Sequence, residues 1–241
     1  MPMTRNLVMA MLIAAGAANA SAQTQPPPAN LGFLNVNFGA QPGSHDVGTN
    51  QSFPLYGETA TFTTAQENGS GAMFDITAGY KIRPAFGVAV GFSNFSNSSD
   101  ATVSTSIPDP LVFDRPRAST STVSNLEHSE RGIHLQAVWF VPVTDKIDVA
   151  LSAGPSFIMV KQDLVSSVTV PAGTQTANLN QSSEKKTGVG ANIGVDGTYL
   201  ITRNFGAGVF LRYAGAKVDV GPVEGLSVGG FQAGGGVRVR F

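Results

Sequence analysis

Seven charged residues interrupt stretches that are otherwise apolar and small: Asp75, Lys81, Asp148, Asp196, Arg212, Arg238 and Arg240. Charges in such surroundings must pair or hydrogen-bond, because an isolated buried ion is too costly to keep. The bland outcome is a ladder of salt bridges, and the sharper one is a polar path for small solutes. Asp196 and Arg212 fall within diagonal reach on adjoining extended segments, whereas Arg238, Arg240, Asp148 and Lys81 cluster towards one end. Catalysis has weaker support. Of the histidines, His45 and His128 fall in polar stretches, and His128-Ser129-Glu130 places three suggestive residues in a row. Neighbours on an extended chain point in different directions, so that triplet is not a triad. His134, beside Gln136, reads as a hydrogen-bonded packing residue. No ligand cluster has metal-site spacing. The chain has no cysteine, which excludes disulfides, thiol catalysis and a lipid-modified cysteine anchor. A net charge of −1 gives no basic field for nucleic acid. No catalytic residue, cofactor or metal is therefore expected.

The elements that position these charges are strands. Leu34, Val36, Phe38 and Ala40 alternate with Asn35, Asn37 and Gly39. The same period of two runs through 74–82, 86–93, 133–141, 147–157, 189–201, 205–213 and 231–241, the pattern of a half-buried strand. Arg83-Pro84-Ala85, Val143 to Lys146 and Thr202-Arg203-Asn204 are tight turns, whereas longer polar stretches lie near 42–70, 97–130, 162–186 and 217–225. Short turns at one end and long loops at the other describe an up-and-down barrel of eight strands; a hidden hairpin in 42–70 would make it ten. Phe53–Thr64 and Leu164–Val170 also read as extended and would lengthen hairpins beyond the membrane.

Which face points outward follows from chemistry. All seven charges lie on one face of their strands, and the apolar face carries none. The charged face is otherwise mostly Gly, Ala, Ser and Asn, which suits the crowded interior of a narrow barrel better than a solvated surface. Tyr80, Phe86, Trp139, Tyr199, Phe205 and Phe241 gather near the short turns, and Phe38, Phe92, Phe157, Tyr213 and Phe231 towards the loops, as two interfacial girdles would. The expected fold is all-β: a closed antiparallel eight-stranded transmembrane β-barrel over 31–241. A soluble barrel with an apolar cavity would place the same faces the other way round. Charged residues are only 13% of the chain, low for a soluble protein.

Before the barrel, Arg5 and the apolar run Leu7 to Ala18 precede small residues, Ala18-Asn19-Ala20 and Ala20-Ser21-Ala22. This reads as a signal peptide over 1–22, cleaved after Ala20 or Ala22, with export by the Sec pathway to the outer membrane. Residues 23–30, QTQPPPAN, read as an extended Pro-rich leader. No later run is long enough for a spanning helix.

The ending GGGVRVRF, and less specifically LYGETATFTT with SGAMFDITAGYKI, resembles the small outer-membrane β-barrels of Gram-negative bacteria, the OmpA/OmpX-type transmembrane domain. The resemblance spans about Leu31 to Phe241. It implies that Phe231, Val237, Val239 and Phe241 form the signal read by the barrel-assembly machinery. OmpA-type proteins often carry a peptidoglycan-binding domain after the barrel; none is expected after Phe241. The functional expectation is a monomer among outer-membrane lipids with a structural or surface-interaction role towards an unnamed ligand. A narrow low-conductance channel is the alternative, and a lipid- or peptide-processing enzyme ranks below it.

Overall fold

The computed structural model describes residues 31–42, 45–220 and 223–241; the expected signal peptide (1–22) and expected Pro-rich leader (23–30) lie outside the described residues. Ten strand segments follow one another: β1 (Gly32–Gln41), β2 (His45–Leu55), β3 (Glu58–Asn68), β4 (Gly71–Arg83), β5 (Phe86–Ile107), β6 (Arg117–Pro142), β7 (Ile147–Thr169), β8 (Asn178–Leu200), β9 (Phe205–Val220) and β10 (Val223–Arg240). Every pairing is antiparallel. Eight of the segments run round a ring in the order β1, β4, β5, β6, β7, β8, β9, β10 and back to β1. Closure at the first and last strands is seen at Val36, which pairs with Ile76 on one side and Val237 on the other.

The remaining two segments settle whether the barrel has eight strands or ten. β1 and β4 end their pairing at Gln41–Gly71, and β2 and β3 resume it at His45–Asn68. β5 then passes from pairing with β4 to pairing with β3, through Gln66–Ala101 and Thr61–Ser106. β2 and β3 thus continue β1 and β4, the pairing resuming at His45–Asn68 after it ends at Gln41–Gly71. The 42–70 stretch does hide a hairpin, but it lengthens the first one instead of adding two strands. Its tip, Tyr56-Gly57, has positive φ at both positions (53° and 81°), which makes a tight two-residue turn compatible with strand twist. The Tyr56 hydroxyl ties this tip to the β7–β8 connection by donating to the carbonyls of Pro171 (3.3 Å) and Thr174 (3.2 Å).

The long polar stretches are mostly strand. β5, β6, β7 and β8 run 22, 26, 23 and 23 residues, about twice the ~9–11 that cross a bilayer. The connections themselves shrink to 108–116 and 170–177. Beneath the Ser/Thr exterior of this extension lies a packed core of Phe62, Ala101, Val103, Val123, Leu126 and Val165. The expected extension at Phe53–Thr64 and Leu164–Val170 is present, and it reaches further than those segments. At the short-turn end Phe33, Ala89, Val138, Phe140 and Ala150 close the interior.

Candidate functional site

The charged face lines the lumen, and its side chains form one connected chain of hydrogen bonds along the barrel. Arg212 on β9 donates from Nε to Gln232 Oε1 (2.7 Å) and from Nη2 to Asp75 Oδ2 on β4 (2.7 Å). Towards the extended end, Gln232 donates to Gln41 (3.0 Å) and Gln41 to Glu130 (3.2 Å). Glu130 then meets His128 Nε2 at 3.0 Å, and His128 Nδ1 contacts Gln162. Towards the short turns, Asn37 donates to Asp75 Oδ1 (3.0 Å) and accepts from Arg238 Nη1 (2.6 Å). Arg238 holds Asp196 with Nε (3.0 Å) and Nη2 (2.7 Å). A second strip crosses the β5–β8 wall: Ser93 to His134 (2.9 Å), His134 to Ser156 (2.8 Å), and Asn192 to both Ser156 (2.8 Å) and Gln136 (3.0 Å).

Asp196 and Arg212 stand diagonally across β8 and β9 as expected, but Arg212 takes Asp75 and Asp196 takes Arg238. The reason is reach. Arg212 stands beside Gly194, so nothing holds its guanidinium against the β8 wall, and it extends across the lumen to a carboxylate only 2% exposed. The cluster at the short-turn end does form: Arg240 Nη2 lies 3.0 Å from both oxygens of Asp148, and Lys81 Nζ sits 4.2 Å over the Phe140 ring. The Arg240 guanidinium is flanked by Phe33 and Phe140, at 5.6 and 5.5 Å. Arg240 Nε and Nη1 and Asn35 Oδ1 are buried without a protein partner, and both residues line a lumen cavity of about 50 Å³.

Gln41 and Gln162 were missed as lumen residues, since neutral amides leave no charge signature; Gln232 lies on the inward face of the last strand, where the alternation places it. His128 lies in β6, not a loop, and is buried with Glu130 beside it on the same face, while Ser129 points out. His45 begins β2. Among the described residues no group of three or more His, Cys, Asp or Glu side chains could hold a metal.

Glycine makes the space the arginines need. A Cβ at Gly208 would stand 2.5 Å from the Gly197 carbonyl oxygen and 2.6 Å from Arg238 Nε. Gly208→Ala is expected to lower stability by about 1–3 kcal/mol through overpacking, read as a lower urea midpoint of the refolded barrel.

The opposite face is apolar and open. Val88, Val90, Ile133, Leu135, Leu151, Ile193, Val209, Leu211 and Val237 are all exposed on the outer wall, bounded by Phe86, Tyr199, Phe205 and Phe241 at the short-turn end and by Phe38, Phe92, Phe157 and Tyr213 at the other. An uninterrupted apolar band of this kind around a sealed ring needs a hydrocarbon solvent. This chain is a small transmembrane β-barrel of the outer-membrane type.

Solved structures are similar to this chain at low identity. Neisserial surface protein A is 18% identical with a TM-score of 0.48, covering 87% of this chain and 97% of that one. The outer membrane protein OprG from Pseudomonas aeruginosa is 11% identical at 0.47, covering 91% and 99%. The outer membrane protease OmpT from Escherichia coli is 10% identical at 0.48, covering 92% and 100%. No protein-family model and no curated protein matches the sequence. In this barrel the closing strand places Phe231, Val237 and Phe241 on the exposed outer wall with Val239 half-buried between them. Phe241 also exchanges backbone hydrogen bonds with Gly32 across the seam (2.6 and 2.9 Å).

Proposed function

We propose that this protein is a monomeric outer-membrane barrel with a sealed lumen, whose work is structural and, above the membrane, presentational. It would reach the membrane through the Sec pathway, and Phe231, Val237, Val239 and Phe241 would serve the assembly machinery as its entry signal. The observation that carries the reading is the unbroken side-chain chain from Gln162 to Asp196, made of residues nearly all buried. An eight-stranded ring has an interior just wide enough for side chains, and along this chain each residue from Gln162 to Asp196 is hydrogen-bonded to the next. Nothing on this path is presented to a substrate: His128 and His134 are each 1% exposed and already hydrogen-bonded, which supports a non-catalytic role.

The presentational part is supported by the 108–116 connection. Asp109 Oδ1 accepts from the backbone of Leu111 (2.8 Å) and Val112 (3.1 Å), and Glu58 accepts from the Asp114 backbone (2.9 Å). This pinned tip holds Leu111 at 91% and Phe113 at 75% exposure, far from the apolar band. Planar-bilayer recording tests the seal: the refolded protein is expected to give no conductance step. Discrete steps from the unmodified chain would overturn the reading in favour of a narrow channel, to which the lumen cavity lined by Arg240 would then belong.

A further inference from the structure

The most exposed large apolar side chain of the described residues, Leu111, stands far from the membrane band, with Val112 and Phe113 beside it at 46% and 75% exposure. The three form the crown of the 108–116 connection between β5 and β6. From Phe92, in the upper girdle, β5 runs on to Ile107, about 50 Å along the strand at ~3.3 Å per residue. A tilt of about 45° still leaves the crown about 35 Å above the band. It therefore cannot dip into the bilayer that holds its own barrel. An apolar patch held out in water at this height marks an interaction site.

The way the crown is built narrows the partner. Pro110 has no N–H, Leu111 and Val112 donate theirs to Asp109 Oδ1 (2.8 and 3.1 Å), and Asp114 donates to Glu58 Oε1 (2.9 Å). Pro108, Pro110 and Pro116 restrict the chain further, so little ordering is left to be done on binding. Glu58 follows the Tyr56-Gly57 turn, which is tied to the β7–β8 connection, so a second hairpin braces the crown. A partner that adds a strand would use the main chain; this crown offers chiefly side chains. Hydrocarbon demands that arrangement, because a backbone group without a partner is costly there. Every residue from 111 to 117 is exposed, which makes the crown a point rather than a groove. Around it Asp109, Asp114 and Glu58 stand against Arg115 and Arg117, with no excess of cations to draw it to an anionic surface. A zwitterionic headgroup layer suits that mixed set, and the arginine stems can lie along it with their guanidinium groups at the phosphates.

We propose that Leu111, Val112 and Phe113 are a wedge that enters the interface of an apposed, zwitterionic phospholipid bilayer, holding a second membrane against the surface that carries this barrel. The proposal rests on the presentational reading above and names its partner. A mostly exposed Leu or Phe taken out of water contributes on the order of tenfold or more in partitioning, so losing both predicts a loss of about 100-fold.

The experiment is flotation of the refolded full chain, held in nanodiscs, with added phosphatidylcholine vesicles; empty nanodiscs are the control. The expected result is co-flotation that high salt leaves unchanged, with about 100-fold more lipid needed by the Leu111→Ser/Phe113→Ser variant. Vesicle lipids brominated in the upper acyl chain should quench an indole placed at the crown by Phe113→Trp. Trp139, the single natural tryptophan, lies at the short-turn girdle inside the nanodisc and should stay unquenched in the unmodified chain. Both changed side chains are exposed and lie outside the packed cores, so the variant keeps its fold. No flotation with phosphatidylcholine, an unaffected double variant, or binding only to anionic vesicles that salt abolishes overturns the proposal. Presentation is read separately: the chain has no cysteine, so Phe113→Cys in intact cells reports the crown to an impermeant maleimide. A labelled crown that does not float with vesicles sinks the wedge, leaves presentation standing and makes an apolar pocket on a protein the occupant. An unlabelled crown sinks both.

Discussion

Replacing Arg212 by alanine is expected to cost the folded barrel about 3–5 kcal/mol, the largest effect of any lumen substitution. Arg212 is 4% exposed and Asp75 2%, so its removal leaves a carboxylate with no cation and almost no water. Asn37 and Thr77 still donate to Asp75, at 3.0 and 3.4 Å, but neutral donors offset only part of a buried charge. Gln232 Oε1 loses its donor in the same step. Equilibrium urea unfolding from phospholipid vesicles would read this through Trp139, the single tryptophan, which stacks on Phe86 at the short-turn girdle. Adding Asp75→Asn to the Arg212→Ala background should recover part of the loss, because an amide carries no charge to desolvate. Arg240→Ala should cost less, since Asp148 is 16% exposed and can draw on water. Stability within about 1 kcal/mol of the unmodified protein for Arg212→Ala would mean that the polar chain does not hold the lumen shut.

That prediction depends on partners that the sequence alone does not supply. Period two sorts residues by face, and it does so cleanly wherever one face is apolar: Val88, Val90 and Phe92 out, Ala89, Gly91 and Ser93 in. Diagonal reach between adjoining strands is also legible, and it suggested Asp196 with Arg212. What it omits is distance across the lumen, which is set by ring closure and by which neighbours are glycine. Asp75 and Arg212 are 137 residues apart and become neighbours only once the ring is formed. The extension was hidden for a different reason. In Ala101 to Ile107 the inward residues Ala101, Val103, Thr105 and Ile107 alternate with Thr102, Ser104 and Ser106. With threonine on both faces and serine opposite, the contrast is too weak to separate strand from polar loop. Gln41 and Gln162 escape for want of a charge to mark them, yet Gln41 joins Gln232, which the alternation does place inward, to Glu130.

Val209→Arg should separate a barrel in hydrocarbon from a barrel in water. Val209 is 66% exposed and lies midway on β9 between Phe205 and Tyr213, the aromatic ends of that strand's outward face. Its neighbours across the strands are Gly197 and Gly235, so a longer side chain meets no steric barrier. In water an exposed Val→Arg change is close to neutral, within about 0.5 kcal/mol. At the middle of a bilayer the same change costs about 2–4 kcal/mol, because the guanidinium must leave water or draw it in. Thr102→Arg, outward on β5 but well above the band, supplies the matched control and should change little. Phe210→Arg, one residue along and 6% exposed, faces the lumen and should be damaging in either solvent. Measured together in vesicles, a large loss at Val209 with none at Thr102 places the hydrocarbon on the outer wall. Near-neutral behaviour at both positions would put water there instead, and the exposed apolar band would need another explanation.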